Sequence, residues 1–125
     1  MTTRVVLRRT DPPCVWLDVV HPTEAELGEI AARYGLHEMS VQDSLDPEHL
    51  PKYERIGGTT FVIVRAVDTA AGPKAATVQE LTRKVAMFFG ADFFITIHRT
   101  PQPFLEQIER SYVSRGESAS PDTAS

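Results

Sequence analysis

Apolar residues along this chain change their spacing several times, and each change marks an element. Arg4-Val5-Val6-Leu7-Arg8 and Val15-Trp16-Leu17-Asp18-Val19-Val20 are short apolar runs of strand character. Asp11-Pro12-Pro13 lies between them and cannot continue a ladder. His21-Pro22-Thr23 then opens a helix. Thr23 and Glu26 have the spacing of a capping box, and Leu27, Ile30, Ala31 and Tyr34 recur at helical period as one apolar stripe. Gly35 stands where such a helix closes through a left-handed residue. A second helix is predicted from His37 to Leu45, with Met39, Val41 and Leu45 turned inward. Asp46-Pro47 ends it, because the residue before a proline is pushed out of helical geometry.

Beyond Leu50-Pro51, the segment Lys52 to Ile56, the pair Gly57-Gly58 and the segment Thr59 to Asp68 read as a hairpin. Phe61 to Val64 are consecutive apolar residues, which suits a strand covered on both faces. Thr69 to Thr77 reads as a loop. Val78 to Phe89 and Phe93 to His98 then form a strand pair around Gly90-Ala91-Asp92. Thr100-Pro101-Gln102-Pro103 breaks the sheet and introduces a last helix with Phe104, Leu105, Ile108 and Tyr112 inward. The order ββααββββα predicts an α/β fold, a three-layer α/β/α domain with a mixed central sheet. This domain is expected over residues 1–114, with residues 115–125 as a disordered tail that has no large apolar anchor.

Composition narrows the function classes. A length of 125 residues suits one domain, and 42% hydrophobic with 24% charged residues is globular rather than disordered. The net charge of −4 argues against a non-specific grip on nucleic acid or an anionic bilayer. Nothing in the spacing of Lys and Arg suggests a local basic patch. One cysteine excludes an internal disulfide and favours a reducing compartment. No signal peptide is apparent, and the most apolar stretch, Val85 to Ile97, is interrupted by Gly90 and Asp92. The chain as given is therefore expected to be soluble.

Catalytic patterns are missing. Cys14 has no local histidine to activate it and reads as a small buried apolar side chain. There is no nucleophile elbow, phosphate-binding glycine loop or dinucleotide fingerprint. Among the four histidines, His37 and His49 form a weak zinc pair across a helix and two prolines. His21 reads as a turn residue and His98 as a partly exposed strand end. The acidic group Asp43, Asp46 and Glu48 is more informative. On a continuous helix Asp43 and Asp46 would share a face, and oxygen donors at a helix end suit a hard cation such as Mg²⁺. The same residues would equally serve to solvate an exposed helix end, and two carboxylates there oppose the helix dipole.

Several blocks, taken in order, carry a resemblance. Val15-Trp16-Leu17-Asp18, His21-Pro22-Thr23-Glu24, Tyr34-Gly35-Leu36-His37, Gln42-Asp43-Ser44-Leu45-Asp46, Pro51-Lys52-Tyr53-Glu54 and Phe93-Phe94-Ile95-Thr96-Ile97-His98-Arg99 make the chain resemble the cytoplasmic N-terminal domain of the CorA family of magnesium and cobalt transporters. The resemblance covers roughly Val15 to Tyr112. It implies a non-enzymatic, divalent-cation-sensing domain on the cytoplasmic side of a membrane, within a homopentamer. A stalk, two membrane helices and a Gly-Met-Asn pore signature would follow it; none of these is in the sequence. By block matching, Asp43 takes the place of the family's interface aspartate, which shares a regulatory cation with a neighbour's stalk carboxylate. The preceding position, acidic in several members, is the neutral Gln42.

In such a switch, carboxylates facing across an interface repel unless a divalent ion lies between them. Sensing a millimolar ion requires a millimolar affinity, about −4 kcal/mol. Without the stalk, this chain is expected to be monomeric and to bind Mg²⁺ weakly, with Asp46 and Glu48 adding negative potential. Two other readings share the fold. One is a zinc-transporting relative, and the other is a stand-alone soluble adaptor that does not transport.

Overall fold

The computed structural model describes residues 2–11, 13–67, 77, 82–100 and 102–114. Six strands form one sheet: β1 (Thr2–Thr10), β2 (Pro13–Val20), β3 (Lys52–Ile56), β4 (Thr59–Val67), β5 (Thr82–Phe89) and β6 (Phe93–His98). The helices are α1 (Glu24–Tyr34), α2 (Glu38–Leu45) and α3 (Pro103–Ser114). Across the sheet the order is β1-β2-β6-β5-β4-β3. Only β2 and β6 run parallel, with Asp18 opposite Thr96 and Val20 opposite His98. The other neighbours pair antiparallel. The mixed sheet and the ββααββββα order are those expected from the pattern of apolar residues.

Alternation divides the core between two faces. Leu17, Val19, Phe61, Ile63, Ala86, Phe88, Ile95 and Ile97 pack with Leu27, Leu36 and Val41 from the α1–α2 side. Trp16, Val85 and Val6 pack with Leu105 of α3 on the other side. The central strands are apolar on both faces because helices cover both, giving three layers.

Local signals explain the helix limits. The Thr23 hydroxyl accepts the Glu26 N–H at 3.2 Å, and the Glu26 carboxylate accepts the Thr23 N–H at 2.8 Å. The N–H bonds of this box lower the Glu26 pKa. Gly35 closes α1 at φ 67°, a left-handed conformation that costs other residues energy. Gly90 is constrained by space instead. A Cβ there would lie 2.0 Å from Phe93 Cε2, and the Gly90 N–H donates to the Phe93 carbonyl at 2.9 Å.

Some expected inward positions are not inward. Met39 is 59% exposed, because it lies two residues from buried Val41 and so on the opposite side of the helix. The inner face of α2 is Ser40, Val41 and Ser44, with Leu45 packed beside them. Ile108 is 40% exposed; α3 buries Leu105 and leans Phe104 against the sheet. Cys14 is half-buried rather than fully buried, since its outer neighbour strand β1 forms the sheet edge. The expected loop from Thr69, the strand residues before Thr82, the side chain of Tyr112 and the tail from residue 115 lie outside what the structure describes. Among the described residues no helix is long and apolar enough to cross a membrane.

Candidate functional site

Asp43 sits on the last turn of α2, its side chain 15% exposed. Lys52 at the start of β3 donates to Asp43 Oδ2 at 2.5 Å, and His49 Nε2 lies 3.5 Å from Oδ1. The bond to Asp43 raises the Lys52 pKa over the opposing effect of desolvation, with help from Glu54. Asp46 does not share a helical face with Asp43. Helix α2 stops at Leu45, Asp46 takes an extended backbone before Pro47, and its Oδ1 accepts the Glu48 N–H at 2.9 Å. Gln42, on the adjacent position, donates to Glu24 at 3.5 Å. His37 caps α2 by accepting the Met39 N–H at 3.1 Å, and His49 Nδ1 lies 2.8 Å from the Leu50 carbonyl. Among the described residues no three His, Cys, Asp or Glu side chains gather to hold a metal ion. Asp43 is thus one oxygen donor already held by a lysine, and the described residues of one copy gather no donor set for Mg²⁺ around it.

The C-terminus of α2 has no basic residue of its own, yet its dipole is answered from across the sheet. Lys84 of β5 donates its three N–H groups to the carbonyls of Asp43, Ser44 and Asp46, at 2.8 and 2.7 Å for the first two. Arg65 of β4 donates to the carbonyls of Pro47 and His49 at 3.2 and 3.0 Å, and to Thr82 Oγ1 at 2.8 Å. The two cations are direct partners across β4 and β5. Burial pushes the Lys84 pKa down to about 8; Asp46 and Asp43 oppose this shift, and Arg65 and Arg99 add to it. Arg65 and Lys84, far apart in sequence, thus meet at one end of the sheet beside Asp43 and Asp46.

On the α3 side, four residues of the parallel pair β2 and β6 form a buried polar chain. Trp16 Nε1 donates to Thr96 Oγ1 at 3.0 Å, and Thr96 donates to Asp18 Oδ1 at 2.6 Å. His98 Nε2 lies 2.7 Å from the same carboxylate oxygen, and its Nδ1 lies 2.6 Å from the Thr100 carbonyl. Both ring nitrogens thus face oxygen atoms, an arrangement that favours the doubly protonated imidazolium. Burial acts against charge on either partner. The mutual hydrogen bond nevertheless raises His98 above its ordinary value and, with Thr96, holds Asp18 below its own. His98 is 6% exposed, not a partly exposed strand end, because α3 begins directly over it. Arg4 extends the network outward, bonding both Glu109 oxygens at 2.7 and 3.0 Å.

A six-stranded mixed sheet with two helices on one face and one on the other, and an acidic helix end beside a strand-borne lysine, defines a three-layer α/β/α domain. Residues 13–124 match the model of the family described as CorA-like Mg²⁺ transporter protein, and the chain belongs to that family. Solved structures share the fold. The complete CorA magnesium transporter of Methanocaldococcus jannaschii aligns with TM-score 0.61 and 16% identity, over 82% of this chain and 30% of that one. The soluble domain of the same CorA aligns with TM-score 0.61 and 18% identity, over 85% of this chain and 39% of that one. The ZntB cytoplasmic domain of Vibrio parahaemolyticus RIMD 2210633 aligns with TM-score 0.62 and 11% identity, over 84% and 41%. This chain thus spans well under half the length of each of these proteins. No curated protein sequence matches it.

Proposed function

We propose that the chain is the cytosolic, divalent-cation-sensing domain of a CorA-type Mg²⁺/Co²⁺ transporter. In this reading it acts as a regulatory module and not as an enzyme. Asp43 contributes one carboxylate to a cation site that a neighbouring protomer of a pentamer completes. The family match over residues 13–124 carries the reading. The geometry of α2 supports it: a fixed helix end presents one partly accessible carboxylate, with Asp46 and Glu48 close by as further negative charge. The stalk and pore belong, in this reading, to protein beyond Ser125.

Two measurements bear on it. The reading frame downstream of Ser125 should run into a long helix, two apolar spans and Gly-Met-Asn; a stop codon there would favour the stand-alone adaptor. The 125-residue chain itself should gain little thermal stability from millimolar Mg²⁺, because stabilisation follows RT ln(1 + [L]/Kd) and a single carboxylate gives a large Kd. A melting-temperature rise of several degrees in that titration would show a complete site within one chain, contrary to the proposal. The match to the ZntB cytoplasmic domain favours, as a second reading, a zinc-transporting relative. His37 and His49 are its only histidine support, and both are engaged locally.

A further inference from the structure

Helix α3 is lightly built into the core. Among its described residues Leu105 is the one buried side chain, Phe104 is half-buried and Ile108 is 40% exposed. A helix that buries so little apolar surface leans on polar ties to keep its place. Towards its C-terminal end Arg4 of β1 bonds both oxygens of Glu109, but the arginine side chain is 50% exposed and such a surface pair holds weakly. The tie at the root of the helix is of another kind.

Thr100 and Gln102, between β6 and α3, form that root. The carbonyl of the buried Gln102 accepts the N–H groups of Leu105 and Glu106 at 3.0 and 3.2 Å, and its side-chain amide donates to Thr100 Oγ1 at 3.3 Å. The Thr100 carbonyl lies 2.6 Å from His98 Nδ1, while His98 Nε2 lies 2.7 Å from Asp18 Oδ1. The imidazole thus joins the root of α3 to the parallel pair β2 and β6. It donates to both oxygens only when both nitrogens carry a proton. A neutral ring has one N–H, and the charged Asp18 carboxylate is the stronger acceptor, so that proton stays on Nε2. The Nδ1 lone pair is then left against the Thr100 carbonyl, where two acceptors repel.

Asp18 on β2, Arg4 on β1, and Glu106 and Glu109 on α3 surround a cavity of about 200 Å³ beside His98. A larger cavity at the end of α2 brings His21, Glu48, Arg65, Arg83, Lys84 and Arg99 round its other side. Lys84, with a pKa of about 8, shares the neutral range, but its bonds go to α2 carbonyls on the opposite face of the sheet. Burial works against charge on His98, yet its bond to Asp18 and the charge of that carboxylate raise it above the ordinary value. The tie is therefore complete below 6.5 and fades as pH rises through the raised value. We propose that His98 is a proton-operated latch for α3: doubly protonated it pins the helix root to the sheet, and on losing its Nδ1 proton it frees the root so that α3 lifts from Trp16. The latch involves no metal ion and stands apart from the Asp43 reading.

Trp16 is the one tryptophan of the chain, is 4% exposed and packs with Leu105, so the access of acrylamide to its indole reports whether α3 is seated. In metal-free buffer, acrylamide quenching of the 125-residue chain should rise several-fold between about pH 6 and about pH 9. Methyl chemical shifts of Leu27 and Ile95, in the core on the other face, should stay fixed. The ring nitrogen shifts of His98 should move with the same midpoint as the quenching. His98→Gln puts a neutral amide in this place and should abolish the step, whereas Cys14→Ser and Lys84→Met should keep it. Several results would overturn the latch: a flat quenching profile, two different midpoints, a step that survives His98→Gln, or one that vanishes in Cys14→Ser or Lys84→Met. Methyl shifts that move together with the quenching would also overturn it, in favour of a loosening of the whole domain. Should His98→Gln fail to fold, the comparison of midpoints in the wild-type chain decides alone.

Discussion

Asp18→Ala is expected to cost the domain about 3–5 kcal/mol, the range found when one member of a buried ion pair is removed. His98 would keep its ring between the Thr100 carbonyl and an empty space, and Thr96 would lose the acceptor to which it donates. The loss should depend on pH in a defined way. His98 has a raised pKa in the folded protein, so its share is complete below the ordinary value of 6.5 and fades as pH climbs through the raised one. Asp18 has a lowered pKa, so its share is complete above 3.8 and fades as pH drops through the lowered one. Urea denaturation of both proteins should therefore show the widest gap between these two values, narrowing on either side. A gap that is small, or constant across that range, would mean the pair is not charged in the fold.

Lys84→Met should cost about 2–3 kcal/mol, the scale of hydrogen bonds made by a charged donor to carbonyls that then lose their partner. Relief of the repulsion from Arg65 keeps the figure from being larger. The damage should be local. Amide exchange ought to quicken first in α2 and the following turn through His49, whose carbonyls Lys84 and Arg65 hold, while β2 and β6 stay protected. Uniform acceleration over the whole sheet would instead make Lys84 a general core residue.

Helix α1 was fully legible because its start, stripe and stop are all local signals, each within one turn of the residue it governs. The same holds for the Gly57-Gly58 hairpin and for the central strands. The apolar character of Met39 suggests the core, but its angular position on α2 opposes Val41. Other positions depend on distant partners. His98 reads as a strand end because α3, which covers it, follows a proline break and reaches it only in the fold. The cavity beside the end of α2 is hidden in the sequence for a similar reason: Arg65 and Lys84 lie on β4 and β5, Arg99 just follows β6, and only the fold brings them together. A usable signal did exist: Arg65 and Lys84 interrupt otherwise apolar strands of a central sheet, and such residues need partners. At the acidic cluster, Pro47 signals the helix end, and with it the loss of a shared helical face for Asp43 and Asp46. An extended Asp46 turns its carboxylate onto its own turn, while Asp43 stays on α2 and meets Lys52 and His49.

Limited proteolysis of the protein made from the complete reading frame around this chain reads the role of Asp43 most directly. Rising Mg²⁺ should protect the wild-type protein, and Asp43→Asn should need several-fold more Mg²⁺ for the same protection while its melting temperature without Mg²⁺ changes little. Identical protection curves for the two proteins would remove Asp43 from the cation site and leave the domain without its assigned sensor.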